Sequence, residues 1–460
     1  MNVKVKLFAI LASLAFAASA PTHAQADDPA LLRAYAAGYK AQFICSGLWN
    51  GGKSLANIEA DELTGIYPKI ADIVPTLKPE IDEPNKQVSV AFDPAMPPRV
   101  ARWQPLKGCA GYPIGYDQPA KPPMAARIAM LDDQKWPMGD KDALVRRETR
   151  DVDLVAALPH RTLLGTYGGK TSAVVIVHRG KIVGEAYKVG HDMHTSQRTW
   201  SVAKSIAGTY IGFLRQLTDL PLDRPLGKSQ KTDDPRGDIN IDNLLRMASG
   251  LHSNSAGNRT DNVYMGGGTI EEFAPLWPLL HKPGTHFRYS NNDILLAVLT
   301  AQEAQRSVGG DVHPSMLFRK LGMTRTLAET DWKGNYILSS QVWTTARDMA
   351  RLGMLYLNNG EWNGEQLLPK DWREYVSAPS GPQPKRQFGY GATFWLINKS
   401  EGIPKDTFAG LGNRGQFLII IPSLDMVIVR RGYDSARDRF DIEKFTRTVI
   451  AAAKAMIATK

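Results

Sequence analysis

The chain has 460 residues, 43% of them hydrophobic and 22% charged, a composition that supports a large buried core and excludes a low-complexity chain. Its formal net charge is +10, yet the lysines and arginines form no runs and no interleaved stacking motifs, which argues against a nucleic-acid partner. The basic balance leaves room for an anionic envelope or an acidic substrate.

In chain order, Met1 to Ala26 reads as a secretory signal: Lys4 and Lys6 are basic, Leu7 to Ala18 is apolar, and Ala24-Gln25-Ala26 is an A-x-A cleavage site. No later stretch is long and apolar enough to span a bilayer, so a periplasmic or secreted protein without stable membrane insertion is expected. Residues 27–150 form an N-terminal accessory region. It holds both cysteines, Cys45 and Cys109, expected to pair in an oxidising compartment. Between them a helical stretch over Ser54–Ile73 and a hairpin of Gln87–Phe92 with Arg99–Trp103 are predicted. Gly47-Leu-Trp-Asn-Gly-Gly-Lys53-Ser54 matches the nucleotide-binding P-loop pattern. It lacks the buried strand before it and the acidic magnesium partner after it, so a plain loop is the expectation. Tyr112 to Arg150, rich in Pro, Gly and charge, reads as a connector.

Residues 151–460 carry the larger domain. A helix near Leu154 precedes a predicted hairpin, Thr171–His178 with Lys181–Tyr187, turning at Arg179-Gly180. His191-Asp-Met-His194 reads as a solvated loop, since it lacks the context of a metal site. A short helix from Ile241 stops at Gly250, and further helices are predicted near Asp293–Arg306 and Thr345–Leu357. Gln416–Ile421 and Met426–Arg430 form a second hairpin around Pro422-Ser-Leu-Asp425, and an amphipathic helix runs from about Asp441 to Ile457.

Within this domain Trp200-Ser201-Val-Ala-Lys204-Ser205 opens an apolar-periodic run in which Ile206, Tyr210, Phe213, Leu214 and Leu217 recur at helical spacing. Residues at i and i+3 of a helix share a face, so Lys204 can reach the Ser201 hydroxyl. Ser201 is the expected nucleophile and Lys204 the general base, provided burial lowers its usual pKa of about 10.4. No other lysine has a serine three residues before it. Tyr289-Ser290-Asn291 follows a Pro-Gly turn; its tyrosine can carry a proton to the leaving group, and its asparagine amide can orient the lysine and a substrate carbonyl. Ala409-Gly-Leu-Gly-Asn413-Arg414-Gly415-Gln416 leads into the isoleucine-rich strand. There the N–H of Gln416 is expected to join that of Ser201 as an oxyanion hole. No G-x-S-x-G elbow exists.

The three stretches, in this order, resemble the serine β-lactamase-related hydrolases, the penicillin-recognising superfamily, whose signature is S-x-x-K, then Y-x-N, then K-T-G or H-x-G on a strand. The resemblance extends from about Leu154 to the C-terminus and is strongest to the branch of class C-like esterases and 6-aminohexanoate-dimer hydrolases. It implies an α/β (α+β) fold: an antiparallel sheet flanked by helices, with a mostly helical subdomain inserted. It further implies hydrolysis of a small ester or amide through an acyl-enzyme on Ser201, with no metal and no cofactor. A D-amino-acid peptidase or penicillin-binding carboxypeptidase is the enzymatic alternative, and a non-catalytic binding homologue the third reading. One departure stands out. The family's K-T-G or H-G-G is Asn413-Arg414-Gly415 here, which removes the usual cation for a β-lactam carboxylate unless Arg414 replaces it.

Overall fold

The computed structural model describes residues 28–116, 129–144, 152–226, 234–253, 260–307, 309–385 and 387–458. The signal expected over Met1–Ala26 lies outside the described residues.

The two predicted hairpins come from opposite ends of the larger domain and meet in one antiparallel sheet. Thr171–His178 pairs with Lys181–Tyr187 on one side and with Met426–Gly432 on the other, with Val175 opposite Val429 and Ile176 opposite Ile428. Gln416–Ile421, Phe408–Gly412, Trp395–Leu396 and Gly389–Tyr390 continue it to seven strands. Every residue of Thr171–His178 is buried, because both faces are covered. Period-two alternation divides the side chains between two layers. Val174 and Ile176 pack with Val155, Phe445 and Val449 from helices Val152–Leu163 and Ile442–Ala458. Ala173, Val175 and Val177 face the larger cluster on the other side, with helices Val202–Thr218 and Ala346–Leu357. The segment between the hairpins is mostly helical, as expected. It includes Asn291–Ser307 and a small sheet of Gln197–Arg198, Val342–Thr344 and Leu327–Ala328.

In the accessory region the predicted hairpin is present, as Gln87–Val90 against Arg99–Gln104. Two strands extend it to a four-stranded sheet: Pro79–Asp82 and Gly108–Gly111. Neither reads as a strand in sequence, the first being polar and partly exposed, the second mostly glycine and alanine. A long helix, Pro29–Trp49, packs on this sheet. The Ser54–Ile73 stretch breaks into Leu55–Asp61, capped by Ser54, and Pro68–Ala71.

The P-loop match dissolves into this architecture. Gly47 belongs to the long helix. Lys53 is buried, ion-paired with Glu62 and 2.5 Å from the Tyr433 hydroxyl. A disulfide joins Cys45 to Cys109, tying the helix to the edge strand. Beside it, Glu329 of the larger domain bonds Ser46, Asn50 and the Cys109 N–H. The described part of the expected connector is docked rather than free. Trp136 is buried, Asp132 is held by Arg325 at 2.6 and 2.7 Å, and Asp140 by Arg351 at 2.9 Å. His194 approaches these two carboxylates, but both are already engaged by arginines. His191 departs from the solvated reading. It is buried beside Tyr433, and burial, with Lys53 and Lys188, pushes its pKa down to about 3.

Candidate active site

Ser201 stands at the threshold of helix Val202–Thr218, where the first free N–H groups of the helix favour developing negative charge. Of the five apolar residues that mark this helix, Ile206, Tyr210, Phe213 and Leu214 are fully buried, whereas Leu217 is exposed near its end. Trp200 enters the helix with φ +50, a left-handed backbone that a bulky residue adopts at a cost of about 1–3 kcal/mol. Packing holds it there: the Arg198 guanidinium lies 3.7 Å over its ring, and Tyr67 of the accessory region meets it edge-on at 6.4 Å.

One turn on, Lys204 is 1% exposed. Its Nζ lies 3.2 Å from Ser201 Oγ, 2.5 Å from Asn291 Oδ1 and 2.9 Å from the Ser339 carbonyl oxygen. A neutral amine has two N–H groups and one lone pair. The two acceptors that cannot donate, Asn291 Oδ1 and Ser339 O, take both N–H groups. The lone pair is then left for the Ser201 hydroxyl. Burial, helped by the positive charge of Arg198, pulls the Lys204 pKa down to about 7, so the neutral form is well populated near neutrality.

Tyr289 closes the group from the other side. Its ring centroid is 5.0 Å from Lys204 Nζ, and its hydroxyl is hydrogen-bonded to the Ser201 side chain and to Trp395. Burial raises its pKa far enough to keep it a neutral phenol. Trp395 and Tyr390, with Phe287, stack around it. Asn291 begins helix Asn291–Ser307 and is itself buried.

The fourth side is the strand Phe408–Gly412. It pairs with Trp395–Leu396 only through Phe408 and Ala409, and beyond them its cleft-side edge has no strand neighbour. A Cβ on Gly412 would come 2.5 Å from the Thr199 carbonyl oxygen and 3.3 Å from the Ser201 nitrogen. Only glycine lets the strand approach the helix start this closely. Gly412 is therefore the strand residue seated against Ser201.

The three residues before Gln416, and Gln416 itself, have other partners. Gln416, opposite Gly412 in register, accepts from Arg431 Nε at 2.7 Å and donates to the Gly432 carbonyl at 2.5 Å. Asn413 is exposed, and its side chain accepts from the Arg414 N–H, closing the turn. Arg414 is turned to the accessory region, donating to the Asp61 carbonyl at 2.7 Å beside the Tyr433 ring. Gly415 has φ +75 and leaves room for Arg430, which donates to its carbonyl. The structure thus brings together Ser201, Lys204, Tyr289 and Asn291, and adds four residues that sequence reasoning missed: Arg198, Ser339, Trp395 and Gly412. Gly410 and Gly412, two glycines on one face of a strand, were the readable signal for the last.

Comparison with known proteins identifies the family and the fold. The 6-aminohexanoate-dimer hydrolase of Paenarthrobacter ureafaciens is 26% identical over 290 residues, covering 56% of this chain and 72% of that protein. A provisionally named 6-aminohexanoate-dimer hydrolase from Bacillus anthracis has a similar solved fold, with TM-score 0.52 and 24% identity over 65% of this chain and 81% of that one. A provisionally named β-lactamase from Bacteroides dorei aligns with TM-score 0.54 and 18% identity, over 64% of this chain and 97% of that one. A family model described as Beta-lactamase matches residues 155–431, from the first helix of the larger domain to the last strand of its sheet. The chain belongs to the beta-lactamase family.

Proposed function

We propose that this protein is a serine hydrolase that cleaves a small, neutral ester or amide through an acyl-enzyme on Ser201. The observation that carries the reading is the hydrogen-bond accounting at Lys204, which leaves its lone pair facing Ser201 Oγ. In the first step Lys204 takes the Ser201 proton as Oγ bonds to the substrate carbonyl carbon. The oxyanion sits against the Ser201 N–H and the free edge of the strand at Gly412. The proton passes through Tyr289 to the leaving alcohol or amine as the carbon–heteroatom bond breaks. Water then attacks the acyl-enzyme by the reverse proton path and releases the acid.

The preference for a neutral substrate rests on Arg414. A β-lactam or a peptide C-terminus presents a carboxylate, and Arg414, the expected substitute cation, is committed to the Asp61 carbonyl. One charge-assisted contact is worth roughly 1.5–3 kcal/mol, or ten- to a hundredfold in rate. The relationship to a 6-aminohexanoate-dimer hydrolase supports linear amides as one class to test, with the terminal carboxylate both free and blocked, since the neutral-substrate reading favours the blocked form. The Cys45–Cys109 bridge supports export to the periplasm or beyond, and no helix among the described residues is long and apolar enough to cross a membrane. The test is a substrate panel of short acyl esters, linear amides and a chromogenic cephalosporin. Turnover of an ester or amide at least tenfold above the cephalosporin is expected. Cephalosporin turnover equal to or above the others would overturn the neutral-substrate reading.

A further inference from the structure

Arg198 is a buried cation with no carboxylate partner among the described residues. It lies three residues before the nucleophile, its guanidinium between the faces of Trp200 at 3.7 Å and Phe43 at 4.6 Å. Nε donates to the Ser340 carbonyl at 3.3 Å and Nη2 to Ser340 Oγ at 3.0 Å, while Nη1 is buried without an acceptor. The acids nearest to it are committed elsewhere: Glu62 to Lys53, and Glu329 to Ser46, Asn50 and the Cys109 N–H. Glu329 is also pushed up to about 7 by burial, and the phenols of Tyr39 and Tyr67, which feel Arg198, are kept neutral the same way. A buried, unpaired charge costs several kcal/mol, and apolar side chains of similar size are often better tolerated. Its stacking on Trp200 and Phe43 and its bonds to Ser340 offset part of that cost, but none of them neutralises the charge.

The segment that Arg198 binds also receives Lys204. Ser340 follows Ser339, whose carbonyl accepts from Lys204 Nζ at 2.9 Å and whose hydroxyl bonds Tyr264. Arg198 and Lys204 thus hold adjacent residues of one buried turn, and the positive charge of Arg198 acts on Lys204 through low-dielectric protein, where like charges repel strongly. The other titratable groups around Lys204 do not offset this. Tyr289 is neutral, and Asp293, one turn into the helix that Asn291 starts, is bonded to Ser249 and pushed up to about 7 by burial.

We propose that Arg198 is a positioning residue of the acyl-transfer site: it fixes the Ser339–Ser340 backbone that receives Lys204 and, as an unpaired positive charge beside it, holds that lysine in its neutral, proton-accepting form. The proposal rests on the assignment of Ser201 and Lys204 as nucleophile and base.

The test follows the rate of Ser201 labelling by a fluorescent phosphonate from pH 5 to 10 in the full chain, with the unfolding midpoint measured in parallel. Wild type is compared with Arg198→Gln, Arg198→Met and Arg198→Lys. Loss of the charge makes Lys204 a stronger holder of its proton. The acidic limb should therefore move to higher pH by roughly one unit or more in the Gln and Met variants, and labelling should recover above it. Arg198→Lys should keep the limb near its wild-type position. A uniform loss of rate at every pH with the limb unmoved would overturn the proposal and leave Arg198 a purely structural residue. If the neutral variants do not fold, Ser340→Asp retains Arg198 and gives its charge a partner. The same upward movement is expected there, and an unmoved limb refutes the idea. A wild type that is never labelled at Ser201 overturns the functional assignment and this proposal together, whereas a labelled wild type with unmoved variants overturns this proposal alone.

Discussion

At the scale of single residues, the division of labour depends on burial acting in opposite senses on two neighbours. Burial destabilises the charged form of each group. It lowers Lys204 to about 7 and keeps Tyr289 a neutral phenol. In the proposed mechanism the lysine is then the base and the tyrosine a relay. Tyr289→Phe should accordingly penalise amides more than activated esters, because an amine must be protonated as it leaves and an activated alkoxide need not be. A loss of 10²–10⁴-fold is expected for amides and a clearly smaller one for a nitrophenyl ester, read from kcat on matched substrates. Equal losses would mean that Tyr289 acts on Ser201 rather than on the leaving group. Ser201 and Lys204 were legible in the sequence because their contact is local, three residues along one helix. Tyr289 and Asn291 were legible because their motif sits at a Pro-Gly turn. Arg198 and Ser339 were not, since their role arises from a meeting of segments 135 or more residues apart in sequence, as a lone arginine and a lone serine give no pattern. The contact itself, Arg198 Nη2 to Ser340 Oγ, is a tertiary one.

At the scale of elements, the site is the meeting of a helix start with a strand edge, and glycine sets their separation. Gly410 and Gly412 both face helix Val202–Thr218. A Cβ at Gly410 would come 3.0 Å from Ser205 Oγ, and one at Gly412 2.5 Å from the Thr199 carbonyl oxygen. Gly412→Val should force strand and helix apart at Ser201. A misplacement of about 1 Å there is worth roughly a hundredfold in rate, with a stability loss of about 1–3 kcal/mol from overpacking. Turnover and the thermal midpoint, measured together, check it, and unchanged turnover would show that another part of the strand lines the oxyanion. The hairpins of the central sheet were predicted closely because each is a run of β-branched residues around a turn. The oxyanion contact was expected at the Gln416 N–H; Gln416 lies on the neighbouring strand, opposite Gly412 in register, and the close approach of Gly412 to the helix start depends on tertiary neighbours that sequence does not display. Helix Pro29–Trp49 escaped prediction for a related reason. Its buried residues are mostly small or polar, among them Ala34, Ala37, Gly38, Lys40, Ala41, Gln42 and Ser46, which carry little hydrophobic contrast.

At the scale of the whole molecule, the N-terminal part of the chain packs against the candidate active site. Phe43 and Tyr67 pack on Arg198 and Trp200, Lys53 pairs with Glu62 beneath Tyr433, and Glu329 grips the helix that carries Cys45. The last contact has a pH signature. Glu329 is pushed up to about 7 by burial, above its unfolded value of about 4.3. Its contribution to stability is full at pH 4 and is lost as pH rises through 7. Glu329→Gln keeps an acceptor and removes that titration. The midpoint of the variant relative to wild type should rise between pH 5 and pH 8. A difference that stays flat over this range would show that Glu329 is ionised in the folded protein throughout.

The central claim is that Ser201 is a nucleophile activated by a lysine of about neutral pKa. Intact-mass and peptide mapping after fluorophosphonate treatment across pH 5–10 test it most directly. One label per chain is expected, on the peptide that contains Ser201, forming faster as pH rises through about 7 and absent in Ser201→Ala. Labelling retained in Ser201→Ala, or a rate with no acidic limb in that range, would contradict the account.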